Sequence, residues 1–417
     1  MTRQHMAWLG FLVSGVQLLS LSMYAAASEP SSAYSLNTVI ELALERNPTV
    51  AGAQGLMRER RGDQVVAGAY PNPSIFGSVG KGSIRDPSTG VSIVERTVTV
   101  EQPIEWPGKR RARQQAADTG VAGASAALDE IRLNVIAEVK VAFYRLLFAQ
   151  RDAELATQNL TMVEEVLRTV KTRAAAGEAT PFETMKAGVE VQKARKELAR
   201  AQNTFLVARV RLDTLTAGAL GNQFAILGEF ESLRQNLDIE ALSTRALEQH
   251  PTLRRLTKSV EQAESKANLE RASRIPNLAV LGTYHREAGN ESVDAALSVQ
   301  LPFWYQRQGE IEIALGAKHR AEAERLQAQN ELAQSISQHV QDARTANEQL
   351  QVFESGLLKQ AEQTLRVARV SFQQGAASLL DVLDSQRVYR QTLLEYAQAR
   401  ADLSIALARL ERAVGGI

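Results

Sequence analysis

"ALERNPT", residues 43–49, and "ALEQHPT", residues 246–252, are near copies whose prolines lie 203 residues apart in a chain of 417. In each, a run of helix formers meets an X-Pro step, and proline turns its predecessor away from the helical region. The spacing of 203 returns at Pro73 and Pro276. Pro103 in "EQPIEW" and Pro302 in "VQLPFW" are 199 apart, and both Gly177/Gly375 and Gly218/Gly416 are 198 apart. Landmarks kept in one order with slow drift indicate a tandem duplication of about 200 residues with small deletions.

Each copy carries the same succession of signals. A short helix precedes the Asn47-Pro48 or His250-Pro251 break, and a helix of about 20 residues runs on to Tyr70 or Ile275. A strand–loop–strand piece follows, then a very long helix, a glycine tip and an antiparallel return helix of about 36 residues. None of the eleven prolines falls between 108 and 180 or after 302, and those stretches are rich in Ala, Gln, Glu, Arg and Leu. One helix over 108–176 would span roughly 104 Å at about 1.5 Å per residue, so coiled-coil-like packing is expected.

The strand pieces alternate with period 2. In "NESVDAALSVQLP" (290–302), Val293, Ala295, Leu297, Val299 and Leu301 alternate with Ser292, Asp294, Ala296, Ser298 and Gln300. Its partner is "NLAVLGTYH" (277–285), across the loop "REAGNE". The first copy pairs "SIFGSVGKGS" with "VSIVERTVTVEQ" across "IRDPSTG". Strands of about 10 residues fit a tilted membrane crossing as well as a soluble edge hairpin.

Composition narrows the choice. The net charge of +1 suggests no nucleic-acid partner, and the lack of cysteine excludes disulfides, thiolate metal sites and a lipidated N-terminal cysteine. Arg3, the apolar run "WLGFLVSGVQLLSL" (8–21) and Ala25-Ala26-Ala27 read as a secretory signal peptide over 1–27. No later segment is apolar enough for a membrane helix, so a span would be built from strands. Four strands cannot close a barrel in lipid; three copies would bring twelve. No Ser/His/acid cluster suggests a triad. The paired carboxylates Asp381 and Asp384, three residues apart on one helix, point the same way and leave no substrate gap, so no enzyme is expected.

At this point the chain, over roughly residues 35–415, resembles the TolC family of outer-membrane efflux ducts. The resemblance rests on the duplicated plan, the break at 47–48, the tips "AAGEATPFET" and "QQGAASLLDVLDSQ", and the ending "LARLERAVGG". "VTVEQPIEWPGKRRARQQAA" (98–117) is most similar to the branch serving cobalt–zinc–cadmium and cobalt–nickel efflux. The resemblance implies a mainly α fold with a small β part. A long α-helical, coiled-coil-like barrel would continue into a transmembrane β-barrel shared between three chains, four strands each. The domains expected are a first repeat at 28–226 (hairpin about 74–102, helix pair about 107–217) and a second at 227–417 (hairpin about 277–301, helix pair about 306–413). It implies a homotrimeric exit duct in the outer membrane, in contact with its lipid, with a large periplasmic portion. A periplasmic adaptor and an inner-membrane RND-type pump would be its partners and divalent heavy-metal cations its cargo, with no cofactor. A multidrug or type I secretion duct of the same fold is the alternative, and a periplasmic coiled-coil scaffold a more distant one.

Asp381 and Asp384, taken alone, are solvated residues near a helix N-terminus; the resemblance implies that they ring the closed aperture at the periplasmic tip. Shifted by 198 residues they fall on Glu183 and Lys186, so only the second copy carries the pair. Gly177, Thr180, Gly375 and Ser378 mark the tips. Ala377 and Phe372 stand where the family's closing network has an arginine and a tyrosine. Trp106, Phe303, Trp304 and Tyr305, where strands give way to helices, are expected as interfacial aromatics, or as packing between the two parts. The run "GKRRAR" (108–113) reads as a solvated helix start or a headgroup collar. Small residues at 116–127 fit close helix approach or solvent-facing filler. The histidines show no metal-ligand spacing, so no tightly bound metal is expected.

Overall fold

The computed structural model describes residues 33–233 and 237–416; the expected signal peptide, 1–27, lies outside them. Strand β1 (Ala33–Ser35) leads into α1 (Leu36–Arg46), α2 (Pro48–Gly68), the strands β2 (Ser74–Arg85) and β3 (Ser92–Ile104), and the helices α3 (Pro107–Ala175) and α4 (Pro181–Leu215). After β4 (Ala225–Leu227) come α5 (Ile239–Gln249), α6 (Pro251–Ala272), β5 (Leu278–Glu287) and β6 (Asn290–Val299). The chain ends with α7 (Gln308–Val352), a π-helical turn (Phe353–Leu357), α8 (Leu358–Gln373) and α9 (Leu379–Val414).

The X-Pro breaks are buried joints. Asn47 Oδ1 accepts from the Thr49 N–H at 2.9 Å and so caps α2, while its Nδ2 donates to the Leu215 carbonyl at 2.9 Å, at the end of α4. His250 performs both tasks with other atoms. Its Nδ1 accepts from the Thr252 N–H at 3.2 Å, and its Nε2 donates to the Arg412 carbonyl at 3.1 Å, near the end of α9. An accepting Nδ1 fixes the neutral tautomer with its proton on Nε2. Each joint thus ties a pair of helices to the far end of the return helix. Gly415 ends α9 with φ +94, and a Cβ there would come 3.1 Å from the His250 Cα.

The sheet order is β2-β3-β5-β6, all antiparallel, so the two hairpins join at β3–β5. Val98↔Tyr284 and Val100↔Gly282 lie on one face, and Thr97↔His285 and Thr99↔Thr283 on the other. β1 pairs in parallel with β4, a contact too short to show as a strand pattern. The core is a set of narrow seams along the helices. Val139, Phe143, Tyr144 and Leu146 of α3 meet Val39, Leu212 and Ile405 at mid-length. The stripe at 116–127 is a close approach: Ala116, Gly120 and Ala124 are buried, and a Cβ on Gly120 would lie 2.8 Å from the Gln262 amide of α6.

Four expectations need correction. The second long helix is not continuous: Gly356 adopts φ 152, ψ −17, which a Cβ opposes, and the helix widens there to a π turn. With no proline in the run, only one ordinary glycine marks the break. The loops are shorter than expected. β5 and β6 pair out to Glu287↔Asn290, leaving Ala288 and Gly289, at φ 53 and 80, as a two-residue turn of the primed kind. The first loop shrinks to 86–91. The boundary at 226/227 falls inside β4. Finally, "GKRRAR" is not simply a solvated start. Arg110 donates to the Gly68 carbonyl (2.7 Å), and Arg113 to those of Ala67 (3.1 Å) and Ala69 (3.2 Å) while pairing with Glu105 at 2.5 Å. These arginines satisfy the last carbonyls of α2.

The joints make a measurable claim. Burial holds the His250 pKa below its ordinary 6.5, outweighing the carbonyl of Arg412 and the charge of Glu130. Below 6.5 the unfolded chain therefore binds the proton more readily, so His250's contribution is complete above 6.5 and is lost as pH falls through the lowered folded value. His250→Asn, copying Asn47, is expected to keep the cap and flatten this dependence in thermal melts. His250→Ala, which uncaps the Thr252 N–H and leaves the Arg412 carbonyl with only the Gly415 N–H, is expected to cost about 1–3 kcal/mol.

Candidate functional site

The two helical tips share one construction. At the end of α3, Gly177 (φ +79) donates to the Ala174 carbonyl at 3.1 Å and the next N–H, of Glu178, to that of Arg173 at 2.8 Å. At the end of α8, Gly375 (φ +76) donates to Phe372 at 3.1 Å and Ala376 to Ser371 at 2.8 Å. This is the Schellman pattern, and it needs a left-handed residue at the glycine. Three residues after each glycine the return helix is opened by a capping box. The Thr180 N–H donates to Glu183 Oε2 at 2.7 Å and the Glu183 N–H to Thr180 Oγ1 at 3.3 Å. The Ser378 N–H donates to Asp381 Oδ2 at 2.9 Å and the Asp381 N–H to Ser378 Oγ at 3.3 Å.

Asp381 is therefore the counterpart of Glu183 in chemistry as well as position. Within one chain its pKa lies below the usual carboxylate range, because the Ser378 hydroxyl and then the Ser378 N–H donate to its charged form. Carboxylates gathered from several chains would push it the other way, since like charges disfavour ionisation. Asp384, one helical turn on, accepts from Arg387 at 2.5 Å and is exposed, as Asp381 is. The difference between the tips rests on Asp384 against Lys186.

Phe372 is buried under the tip with Val166, Val170, Ala187, Leu379 and Val382. The Arg173 guanidinium lies 5.1 Å from its ring centroid and ion-pairs with Glu178 at 3.7 Å. A cation over an aromatic face thus joins the two helical hairpins, and Arg173 was not among the expected residues. Its only sequence signal is a basic residue four before Gly177. Ala377 packs at the edge of the same cluster.

At the other end of the molecule the sheet inverts the usual burial. Ile75 and Val79 (each 74% exposed), Val293 (80%) and Leu297 (70%) stand on the open face. The opposite, half-buried face carries Thr97, Thr99, Thr283, His285, Glu95 and Glu101. Thr97 Oγ1 lies 3.0 Å from His285 Nδ1, and Glu95 Oε1 3.4 Å from the same nitrogen. Among the described residues no three His, Cys, Asp or Glu are arranged to hold a metal ion. No helix among them is long and apolar enough to cross a membrane. Trp106, Phe303, Trp304 and Tyr305 are all exposed where the sheet meets the helices, Trp304 at 98%. Tyr305 also donates to Glu310 at 2.6 Å.

Comparison with known proteins places this geometry. The profile of the family "Outer membrane efflux protein" matches residues 39–218 and 242–416. Among relatives, the cobalt-zinc-cadmium resistance protein CzcC of Cupriavidus metallidurans is 26% identical over 93% of this chain and 91% of its own. The nickel-cobalt-cadmium resistance protein NccC of Alcaligenes xylosoxydans is 24% identical over 78% and 74%. The pyoverdine export outer membrane protein OpmQ of Pseudomonas aeruginosa is 24% identical over 91% and 83%. Among solved structures, CusC superposes with a TM-score of 0.77 at 16% identity over 95% of this chain and 96% of that one. The Campylobacter jejuni CmeC outer membrane channel superposes with 0.78 at 17% identity over 91% and 85%.

If the tips are held as described, Thr180→Ala and Ser378→Ala should each destabilise their return helix by about 1 kcal/mol. Hydrogen exchange would show this as faster exchange confined to the first turn of α4 or α9. Gly375→Ala should cost a further 1–2 kcal/mol, roughly, because it forces a Cβ into the left-handed region.

Proposed function

The chain belongs to the outer membrane efflux protein family, and from that premise we propose that three copies form a passive exit duct for divalent heavy-metal cations. It is an outer-membrane channel protein with a large periplasmic part; on our reading the helices lie in the periplasm and the hairpin turns at the cell surface. The observation that carries the duct reading is the sheet: an apolar face turned outward, a polar face turned inward, and free edges on β2 and β6 among the described residues. In lipid each edge needs a partner, and two more copies supply it in a twelve-stranded ring. The two halves then act as tandem repeats, each giving one hairpin to the barrel and one helical hairpin to the duct below it. Nothing in the arrangement calls for catalysis.

Cargo is read from the relatives named for cobalt, zinc, cadmium and nickel resistance. Export of a metal chelator, as in the relative named for pyoverdine, is the second reading. Energy and selection fall to an adaptor and an RND-type pump. An open groove of about 660 Å³ near the tips, lined by Lys186, Lys193, Arg200 and Arg390 with Glu190 and Glu197, gives the adaptor a charged seat. Trp106, Phe303, Trp304 and Tyr305 form the belt at the periplasmic membrane surface.

The aperture is carried by Asp384, with Asp381 contributing charge while it caps α9. Three copies bring six carboxylates to one axis, a ring that favours cations. In planar bilayers Asp384→Asn is expected to lower the cation-to-anion permeability ratio and weaken block by trivalent cations, with Asp381→Asn adding to both. Unchanged selectivity in the double variant would make the pair a solvated helix face.

A further inference from the structure

The outward face of the sheet changes character at its surface end. Leu278↔Val299 starts the β5–β6 ladder near the helices, and Arg286↔Glu291 lies eight residues on, roughly 26 Å along the strand. Between them the outward positions are Val280, Gly282 and Tyr284 on β5 and Leu297, Ala295 and Val293 on β6. With the strands tilted by about 35–45°, that run rises roughly 20 Å, most of the apolar band of about 25 Å that a bilayer requires. Beyond it the face turns basic. Arg96 stands directly opposite Arg286. Lys81↔Val94 and Arg85↔Ser92 put two more cations on the same face, since cross-strand partners share a face.

A carboxylate balances only one of these four cations. Glu291 lies 3.4 Å from Arg286. Among the described residues no carboxylate forms an ion pair with Lys81, Arg85 or Arg96. Exposed arginines with no ion pair to a described residue occur on the helices as well, Arg58, Arg111 and Arg145 among them; what sets the sheet cations apart is their position together at one end of an apolar band. Like charges directly opposite on a sheet repel. At the rim of an apolar band the repulsion is felt more than in open water. A phosphate shared between two guanidinium forks removes it, with bidentate geometry that a lysine pair lacks.

We propose that Lys81, Arg85, Arg96 and Arg286 form a site for the phosphorylated headgroup of the glycolipid in the outer leaflet. The row lies on the lipid-facing side, at headgroup depth, and its charge complements that headgroup. Tyr284, just inside the row, offers a ring to the sugar–acyl boundary. The inference rests on the shared-barrel reading, which sets the depth.

The test is native mass spectrometry of the full-length protein released from micelles doped with bis-phosphorylated lipid A, the same lipid with its phosphates removed, or phosphatidylethanolamine. The wild type should retain phosphorylated lipid A preferentially. Arg96→Gln with Arg286→Gln should weaken that retention by roughly tenfold or more. Lysine at both positions should give an intermediate value, with β content checked by circular dichroism, and Arg366→Gln on α8 should change nothing. Equal retention by wild type and the glutamine variant would overturn the proposal. So would displacement of lipid A by inorganic phosphate at similar concentration, which would mark a free-anion site. Phospholipid retained without preference would defeat this inference and leave the barrel standing; no retained lipid of any kind would defeat the barrel itself.

Discussion

Backbone groups along the outer edges of β2 and β6 set the terms for the whole molecule. In lipid an unpaired N–H or C=O has no water to turn to, so a four-stranded sheet with an apolar outer face is an incomplete object. Completing it with further copies fixes the other choices. The strands must be about 10 residues long, polar on one side and apolar on the other, and free of any closing pair within the chain. β2, β3, β5 and β6 meet those requirements, and their join at β3–β5 makes one continuous wall from two separate hairpins.

The helices solve a different problem, which is to stay parallel over a great length with little core. α3 spans 69 residues, roughly 104 Å. Its seam over 116–126 is built from small residues, so backbones approach closely there, while at mid-length Phe143, Tyr144 and Leu146 fill a narrow core. Rigidity then depends on the ends. Asn47 and His250 lock the short helices to the C-termini of α4 and α9. Arg110 and Arg113 clamp α2 beneath the sheet, and the paired Schellman and capping motifs turn the chain at the tips. Most of these devices are hydrogen bonds to helix ends, the groups a helix cannot satisfy by itself.

Much of this was legible in the sequence because its punctuation is regular. Proline spacing fixed the helix starts at 48, 107, 181 and 251, and the period-2 runs located all four long strands. What was not legible depends on contacts between distant segments. Asn47 and His250 look unalike, yet each offers one acceptor and one donor at the right reach. The clamps of Arg110 and Arg113 look like an ordinary basic run until α2 is folded beside them. Gly356 reads as one more helical glycine; only its φ of 152 and the π turn around it show where the helix gives way. At the tip, two acidic residues three apart suggested one shared role. The fold divides them, because the third position of a helix that starts at serine is already engaged by the cap.

The central claim is that the free edges of β2 and β6 are closed by other copies of the chain. Because the chain has no cysteine, introduced pairs can test this without background. A panel would combine one cysteine at Ile75, Gly77 or Val79 on β2 with one at Val293, Ala295 or Leu297 on β6, oxidised in isolated outer membranes. At least one pair brings Cα atoms of adjacent strands within disulfide range, about 4.4–6.8 Å. The account predicts a denaturant-resistant ladder that stops at the covalent trimer. Cross-links formed only within one chain, or a ladder that runs past three, would contradict it.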